Sequence, residues 1–147
     1  MLLLLLVYSY LDLKDRRVAN SVQLVGLAVG LAVAMLSYHL FEYALLHIAS
    51  FLLMVLFSGT LFRMGSIGGA DAKTMLTIAL VSPGVELSVW PDPFFEAFIS
   101  CSIMTFCMLL LGYLYQRHFK ASGEVPRTPL VPFLLIGYLV VQALLVL

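Results

Sequence analysis

The chain has 147 residues, of which 63% are hydrophobic and 11% are charged, and its mean hydropathy is +1.07. An average soluble domain carries about 25% charged residues, so this composition excludes an ordinary water-soluble protein and indicates one membrane-embedded domain over residues 1–147. Eight basic and eight acidic residues balance each other, which leaves no electrostatic footprint for a nucleic acid partner.

Six apolar segments follow one another along the chain and predict an all-α protein with six transmembrane helices. Most approach the ~20 residues that cross a bilayer, and short polar or Pro/Gly-containing stretches separate them. The fourth is short because Pro83-Gly84 should break it, and we expect protein or water to shield that break from lipid. The predicted helices cover residues 2–17, 21–38, 44–62, 70–82, 93–116 and 129–147.

The basic residues follow a single pattern on this map. If each helix crosses once, all eight fall on one side of the membrane. The charged residues on the other side are all acidic. The positive-inside rule makes the basic side cytoplasmic, which predicts a multi-pass protein of the cytoplasmic membrane with both termini outside. The basic residues are Lys14, Arg16, Arg17, Arg63, Lys73, Arg117, Lys120 and Arg127, and the acidic residues opposite are Glu42, Glu86, Asp92 and Glu96.

The second predicted helix contains Gly26 and Gly30, a Gly-x-x-x-Gly spacing that lets two helices approach closely. Ordinary packing inside the bundle explains this spacing about as well as a homodimer interface does. The sequence alone therefore leaves a homodimer open.

Two aspartates are predicted at similar depth near the cytoplasmic face. Asp12 lies toward the end of the first helix, and Asp71 lies at the start of the fourth, beside a glycine-rich turn. A carboxylate in hydrocarbon costs about 3 kcal/mol even on insertion scales, so such residues usually face a protein interior and serve a function. Two close carboxylates share a proton, which supplies the acid and the base that an aspartyl protease needs. The alternative is that both are solvated among lipid headgroups, as we expect for Asp15.

Three blocks of sequence surround these residues. Residues 12–20 read Asp-Leu-Lys-Asp-Arg-Arg-Val-Ala-Asn, residues 68–73 read Gly-Gly-Ala-Asp-Ala-Lys, and residues 131–137 read Val-Pro-Phe-Leu-Leu-Ile-Gly. In order and spacing they resemble the type IV prepilin and preflagellin peptidases, whose blocks are an Asp followed by basic residues and Ile-Pro-Asn, then Gly-x-Gly-Asp-x-Lys, then a Pro-Phe-containing last helix. Two positions depart from that pattern, since Ala19 replaces a Pro and Ala70 replaces a Gly.

This resemblance implies an aspartic endopeptidase in which Asp12 and Asp71 form the catalytic pair, with no metal and no cofactor. Its expected partners are the lipid bilayer and pilin-like or flagellin-like precursors, whose basic leader peptide it would remove at the cytoplasmic boundary. The sequence shows no cysteine-rich insert, so we expect a short form without methyltransferase activity. The supporting residues implied by position are Asn20, Gly68, Gly69 and Lys73.

Other functions have less support in the sequence. A presenilin-like protease would cleave inside the apolar helix of its substrate, but the block at residues 12–20 favours prepilin processing. A small proton-coupled transporter or scaffold would use the aspartates as a relay, although no inverted repeat is visible. Ser66 with Lys73 could imitate a Ser/Lys hydrolase, but nothing marks Ser66 as an activated nucleophile. The histidines show no metal-ligand spacing, and the cysteines are interpreted as packing residues.

Overall fold

The computed structural model describes residues 1–15, 18–84, 92–120 and 128–144. Helix accounts for 86% of these residues and no strand occurs among them, which confirms the all-α class. The helices are α1 Leu2–Asp15, α2 Asn20–Leu36, α3 His39–Glu42, α4 Ala44–Arg63, α5 Gly69–Val81, α6 Pro93–Lys120 and α7 Val131–Leu144.

Each of the six predicted helices has a counterpart, and one short helix was not predicted. That helix, α3, follows Tyr38, whose φ of 59° places it in the left-handed region without a glycine to signal the turn. At the start of α6, the carboxylate of Asp92 accepts the backbone N–H of Phe94 at 2.9 Å, and Pro93 occupies the first helical position. This is the usual chemistry of a helix N-terminus.

The main helices pack as a ring in which each contacts its neighbours. Around it, α1 packs on α7, α7 on α6, α6 on α4, α4 on α5, and α5 on α2, while α5 also reaches α7 across the interior. The ring closes where Tyr8 of α1 bonds to α2. The shared core lies between α1, α4, α5, α6 and α7 and includes Leu5, Met54, Met75, Ile78, Met104, Met108, Leu134 and Val141.

The paired glycines of α2 occupy close contacts within this ring. A side chain at Gly26 would collide with the Tyr8 hydroxyl, and one at Gly30 would lie 2.6 Å from the Val81 side chain of α5. The close approach that the Gly-x-x-x-Gly spacing predicts therefore occurs between helices of one chain. Near the start of both helices, Gln23 of α2 contacts Ala70 of α5. Gly30 lies further along α2 and contacts Val81 at the end of α5, so the two helices run parallel.

The predicted break after α5 is confirmed, and protein surrounds it. Residues 82–84 are non-helical and buried. Proline removes a backbone donor and ends the helix, so nearby carbonyls lose their helical partners. Side chains from α4 and α7 supply the missing donors: His47 Nδ1 donates to the Leu80 carbonyl at 3.0 Å, Ser50 Oγ to Pro83 at 3.5 Å, and Gln142 Nε2 to Gly84 at 3.0 Å.

Two of the described helices, Ala44–Arg63 and Pro93–His118, are long and apolar enough to cross a membrane, while α2 and α7 are apolar but shorter. Large apolar side chains are exposed on several helices, and polar side chains occur in the interior. So many exposed large apolar side chains are not typical of a water-soluble bundle. Exposed examples are Leu24, Val25, Val29, Leu52, Leu56, Phe98 and Phe106, and buried polar examples are Ser50, Ser58, Thr74, Thr77 and Ser100.

Candidate active site

Asp12 lies in the last turn of α1 and is only 7% exposed. Its Oδ2 accepts the backbone N–H of Val131, the first residue of α7, at 3.3 Å. The first N–H groups of a helix have no partner inside it, and the helix dipole favours negative charge there. The N-terminal end of α7 therefore orients the carboxylate of Asp12.

Asp71 lies in the first turn of α5 and is 8% exposed. Its Oδ2 accepts the backbone N–H of Gly68, the residue that precedes α5, at 2.9 Å. This bond is the reaching-back half of a capping box, in which a side chain in the first turn satisfies the N-cap donor. The second aspartate is thus also held at a helix N-terminus.

The structure brings the two carboxylates together at one end of the bundle. Val131, whose N–H binds Asp12, packs in the same small cluster as Ala70, which is bonded to Asp71. Two like charges at short range in a protein interior cannot both ionise easily, so such a pair holds one proton between its members. A pair in that state can supply one hydrogen-bond donor and one proton acceptor at the same place.

The neighbouring ionic residues are separated from this pair. Asp15 and Lys73 are both exposed, and the ammonium of Lys73 donates to Asn20 Oδ1 at 2.6 Å. That bond joins the start of α2 to the first turn of α5, so it links the first and second sequence blocks. Arg16 and Arg17 lie outside the described residues.

The two departures from the family pattern are accommodated locally. Ala19, which stands in place of a Pro, has φ −61° and ψ 139°, the backbone conformation that a proline adopts. The methyl group of Ala70 packs against a small apolar cluster of Tyr8, Val18 and Val131. Both alanines therefore fit the local structure beside the aspartates.

Gly68 and Gly69 form the open side of the site. Both are exposed, and a side chain at Gly68 would come within 2.9 Å of Asp71 Oδ2. Without side chains, this edge leaves room for another backbone to approach the second carboxylate.

Sequence reasoning missed Gln23 and Tyr8. Gln23 of α2 is buried, and its amide Nε2 donates to the Ala70 carbonyl at 2.8 Å. The Tyr8 hydroxyl donates to the backbone carbonyl of Gln23 at 3.2 Å. The available signal for Gln23 was that it is the one amide side chain in the apolar run 21–36.

Within the described ranges, the other residues considered for catalysis or metal binding do not form a second site. His39 and His47 are hydrogen-bonded to each other at 3.1 Å near the C-terminal end of α5, whereas Asp71 lies at its N-terminal end. In the part of the chain that the structure describes, no three His, Cys, Asp or Glu side chains group as metal ligands would. Ser66 is exposed in the turn before α5, and the Lys73 ammonium is bound to Asn20 instead.

The fold and site define a class of protein: an all-helical bundle with an apolar exterior and two interacting carboxylates held at helix N-termini. The model of the type IV leader peptidase family matches residues 1–146. The chain therefore belongs to this peptidase family, as the three blocks predicted. No curated protein and no solved structure matches the chain.

Proposed function

We propose that this protein is a membrane aspartyl endopeptidase that removes the basic leader peptide from pilin-like or flagellin-like precursors. The observation that carries the proposal is the pair of buried, interacting carboxylates of Asp12 and Asp71. Membership of the type IV leader peptidase family supports the reaction class, and it favours cleavage at a leader junction over cleavage inside a transmembrane helix.

In the proposed reaction the two aspartates have complementary roles. The ionised carboxylate takes a proton from water while the water oxygen attacks the scissile carbonyl carbon, and the protonated partner hydrogen-bonds the carbonyl oxygen. When the C–N bond breaks, a proton passes to the leaving amine. The reaction needs no covalent intermediate.

The proposed site lies at the cytoplasmic face of a six-span protein with both termini outside. The clustering of Lys and Arg in alternate breaks supports this orientation. A precursor helix could then lie in the bilayer beside the enzyme and present its leader junction at the depth of the aspartates.

Replacing each aspartate by its uncharged isostere tests the proposal. Asp12→Asn and Asp71→Asn should each reduce cleavage of a pilin-like precursor by about 10³-fold or more, because an amide can act neither as base nor as acid. Cleavage would be followed by the change in precursor size, in membranes or detergent.

Asp15→Asn is the matched control, since Asp15 is exposed three residues away on the same helix. It should retain most of the activity. If Asp15→Asn were inactive while Asp12→Asn cleaved normally, the wrong residue would have been assigned; activity in both pair mutants would exclude the aspartyl mechanism.

A further inference from the structure

Gln23 is a buried amide between the two helices that carry the aspartates. Only 4% of its surface is exposed, and it lies one turn into α2, the helix that contacts both α1 and α5. Neither of its amide hydrogen bonds involves a carboxylate. Any effect on the aspartates must therefore pass through their backbones.

On the α1 side, the connection runs through Tyr8. Its hydroxyl donates to the Gln23 carbonyl at 3.2 Å, and its ring is 1% exposed. Tyr8 stands four residues before Asp12, on the same face of the helix. Gly26 leaves the space that the Tyr8 hydroxyl occupies, so α1 is fixed against α2 one turn before the first aspartate.

On the α5 side, the connection is the amide itself. Nε2 of Gln23 donates to the Ala70 carbonyl at 2.8 Å and to Thr74 Oγ1 at 3.3 Å, and Thr74 Oγ1 donates to the same carbonyl at 3.0 Å. Ala70 is bonded directly to Asp71. The backbone that carries the second aspartate is therefore tied to α2 by two hydrogen bonds from one side chain, Gln23.

The other polar atom of the amide, Oε1, adds no hydrogen bond within the described part of the fold. Oε1 of Gln23 is buried and has no hydrogen-bond partner among the described residues. Burying an unpaired carbonyl oxygen destabilises a fold, so an apolar side chain of equal size would suit the packing better. What the amide adds over such a side chain is its two donor bonds to α5.

We infer that Gln23 is a positioning residue that, together with Tyr8, sets the separation of Asp12 and Asp71. The inference rests on the proposed function. The chain of contacts runs from Asp12 along one helical turn to Tyr8, through Gln23, to Ala70 and Asp71. A displacement of about 1 Å at reacting groups can cost about 100-fold in rate, so a tether between the two backbones controls catalysis without touching the substrate.

Gln23→Met tests this role, because methionine is similar in size and lacks the amide. Its kcat for precursor cleavage should fall about tenfold or more while KM changes less than about twofold, since both hydrogen bonds of the amide are made inside the protein. The thermal unfolding temperature in detergent should stay equal or rise, because the unpaired Oε1 is gone.

Gln142→Met is the matched control. Gln142 also donates from Nε2 to a backbone carbonyl, that of Gly84 at 3.0 Å, but at the opposite end of α5 from Asp71. Its replacement should lower the unfolding temperature and leave kcat within about twofold of wild type. A general effect of removing a buried amide bond would lower kcat in both variants and would refute the inference.

Tyr8→Phe provides a second variant that keeps the ring and removes only the hydroxyl. It should lower kcat in the same way, and combining it with Gln23→Met should add little, because both interrupt one tether. Wild-type kcat in Gln23→Met and Tyr8→Phe, with Asp12→Asn and Asp71→Asn inactive, would overturn this inference alone. Activity in the two aspartate mutants would instead overturn the proposed function.

Discussion

Asp12 and Asp71 share a feature that their positions in the sequence do not reveal: each accepts a backbone N–H at the N-terminal end of a helix. The N-terminal end of a helix stabilises negative charge. The pair can therefore hold one negative charge inside the protein, while mutual repulsion opposes a second one.

This arrangement predicts a bell-shaped dependence of kcat/KM on pH. The rate should rise as the first proton leaves the pair and fall as the second one leaves, because the proposed mechanism needs one ionised and one protonated carboxyl. Steady-state cleavage across the pH range measures it, and a chelator should leave the rate unchanged. A rate that rose to a plateau without falling would indicate a single base.

The bond between Lys73 and Asn20 predicts a small, shared contribution to stability. Lys73→Met and Asn20→Ala should each destabilise the protein slightly, and the double mutant should be no worse than the poorer single mutant. Because both side chains are exposed, the coupling should be below about 1 kcal/mol. Thermal unfolding of the four proteins measures it. Fully additive effects would show that the bond does not form in the membrane protein.

At the scale of helices, apolar runs and the polar or Pro/Gly-containing breaks between them predicted each of the six longer elements. The helix α3 was not predicted because it has only four residues. In addition, the turn before it is made by Tyr38, whose left-handed conformation is normally marked by a glycine. The break at Pro83 was predictable from chemistry alone, since proline removes a donor wherever it stands. The side chains that compensate for it were not predictable, because they come from distant helices.

Glycine contacts along α2 give a prediction at this scale. Gly30→Ala should destabilise the bundle by about 1–3 kcal/mol, because its new methyl group would lie 2.6 Å from a Val81 methyl. Gly26→Ala should also reduce cleavage, since it displaces the Tyr8 hydroxyl. Thermal unfolding in detergent measures the loss of stability, and cleavage of a pilin-like precursor measures the loss of activity.

Gly59→Ala is the control for these substitutions. Gly59 lies inside α4, and a side chain there would meet no atom within 4 Å. Alanine is favoured over glycine in a helix by about 0.5–1 kcal/mol, so this variant should be as stable as wild type or slightly more stable. If all three alanines behaved alike, the close contacts would not explain the role of the α2 glycines.

The candidate site was only partly predictable for a related reason. Both aspartates stand in recognisable blocks, and the cost of a carboxylate near hydrocarbon singles them out. Gln23 and the Val131 N–H act through contacts across 47 and 119 residues of sequence. No local pattern encodes such contacts, and a backbone donor has no residue type to recognise.

Across the whole molecule, the many large apolar side chains on the surface agree with a lipid environment. The proposed orientation then predicts the labelling of introduced cysteines. In a background with Cys101 and Cys107 replaced by alanine, Ser66→Cys should react with a membrane-impermeant reagent only from the cytoplasmic side. Ser37→Cys should react only from outside. Both serines are exposed, and the reverse result would refute the orientation.

The hydrogen bond between Asp12 and Val131 also bears on how the protein is made. Its two ends are separated by 119 residues, so the ribosome must synthesise α7 before α1 can complete its carboxylate site. A nascent chain that has inserted only its earlier helices would hold both aspartates but lack the donor that orients the first one. Proteolytic competence should therefore appear late in biogenesis, and a fragment ending before α7 should regain activity only when α7 is supplied as a separate chain.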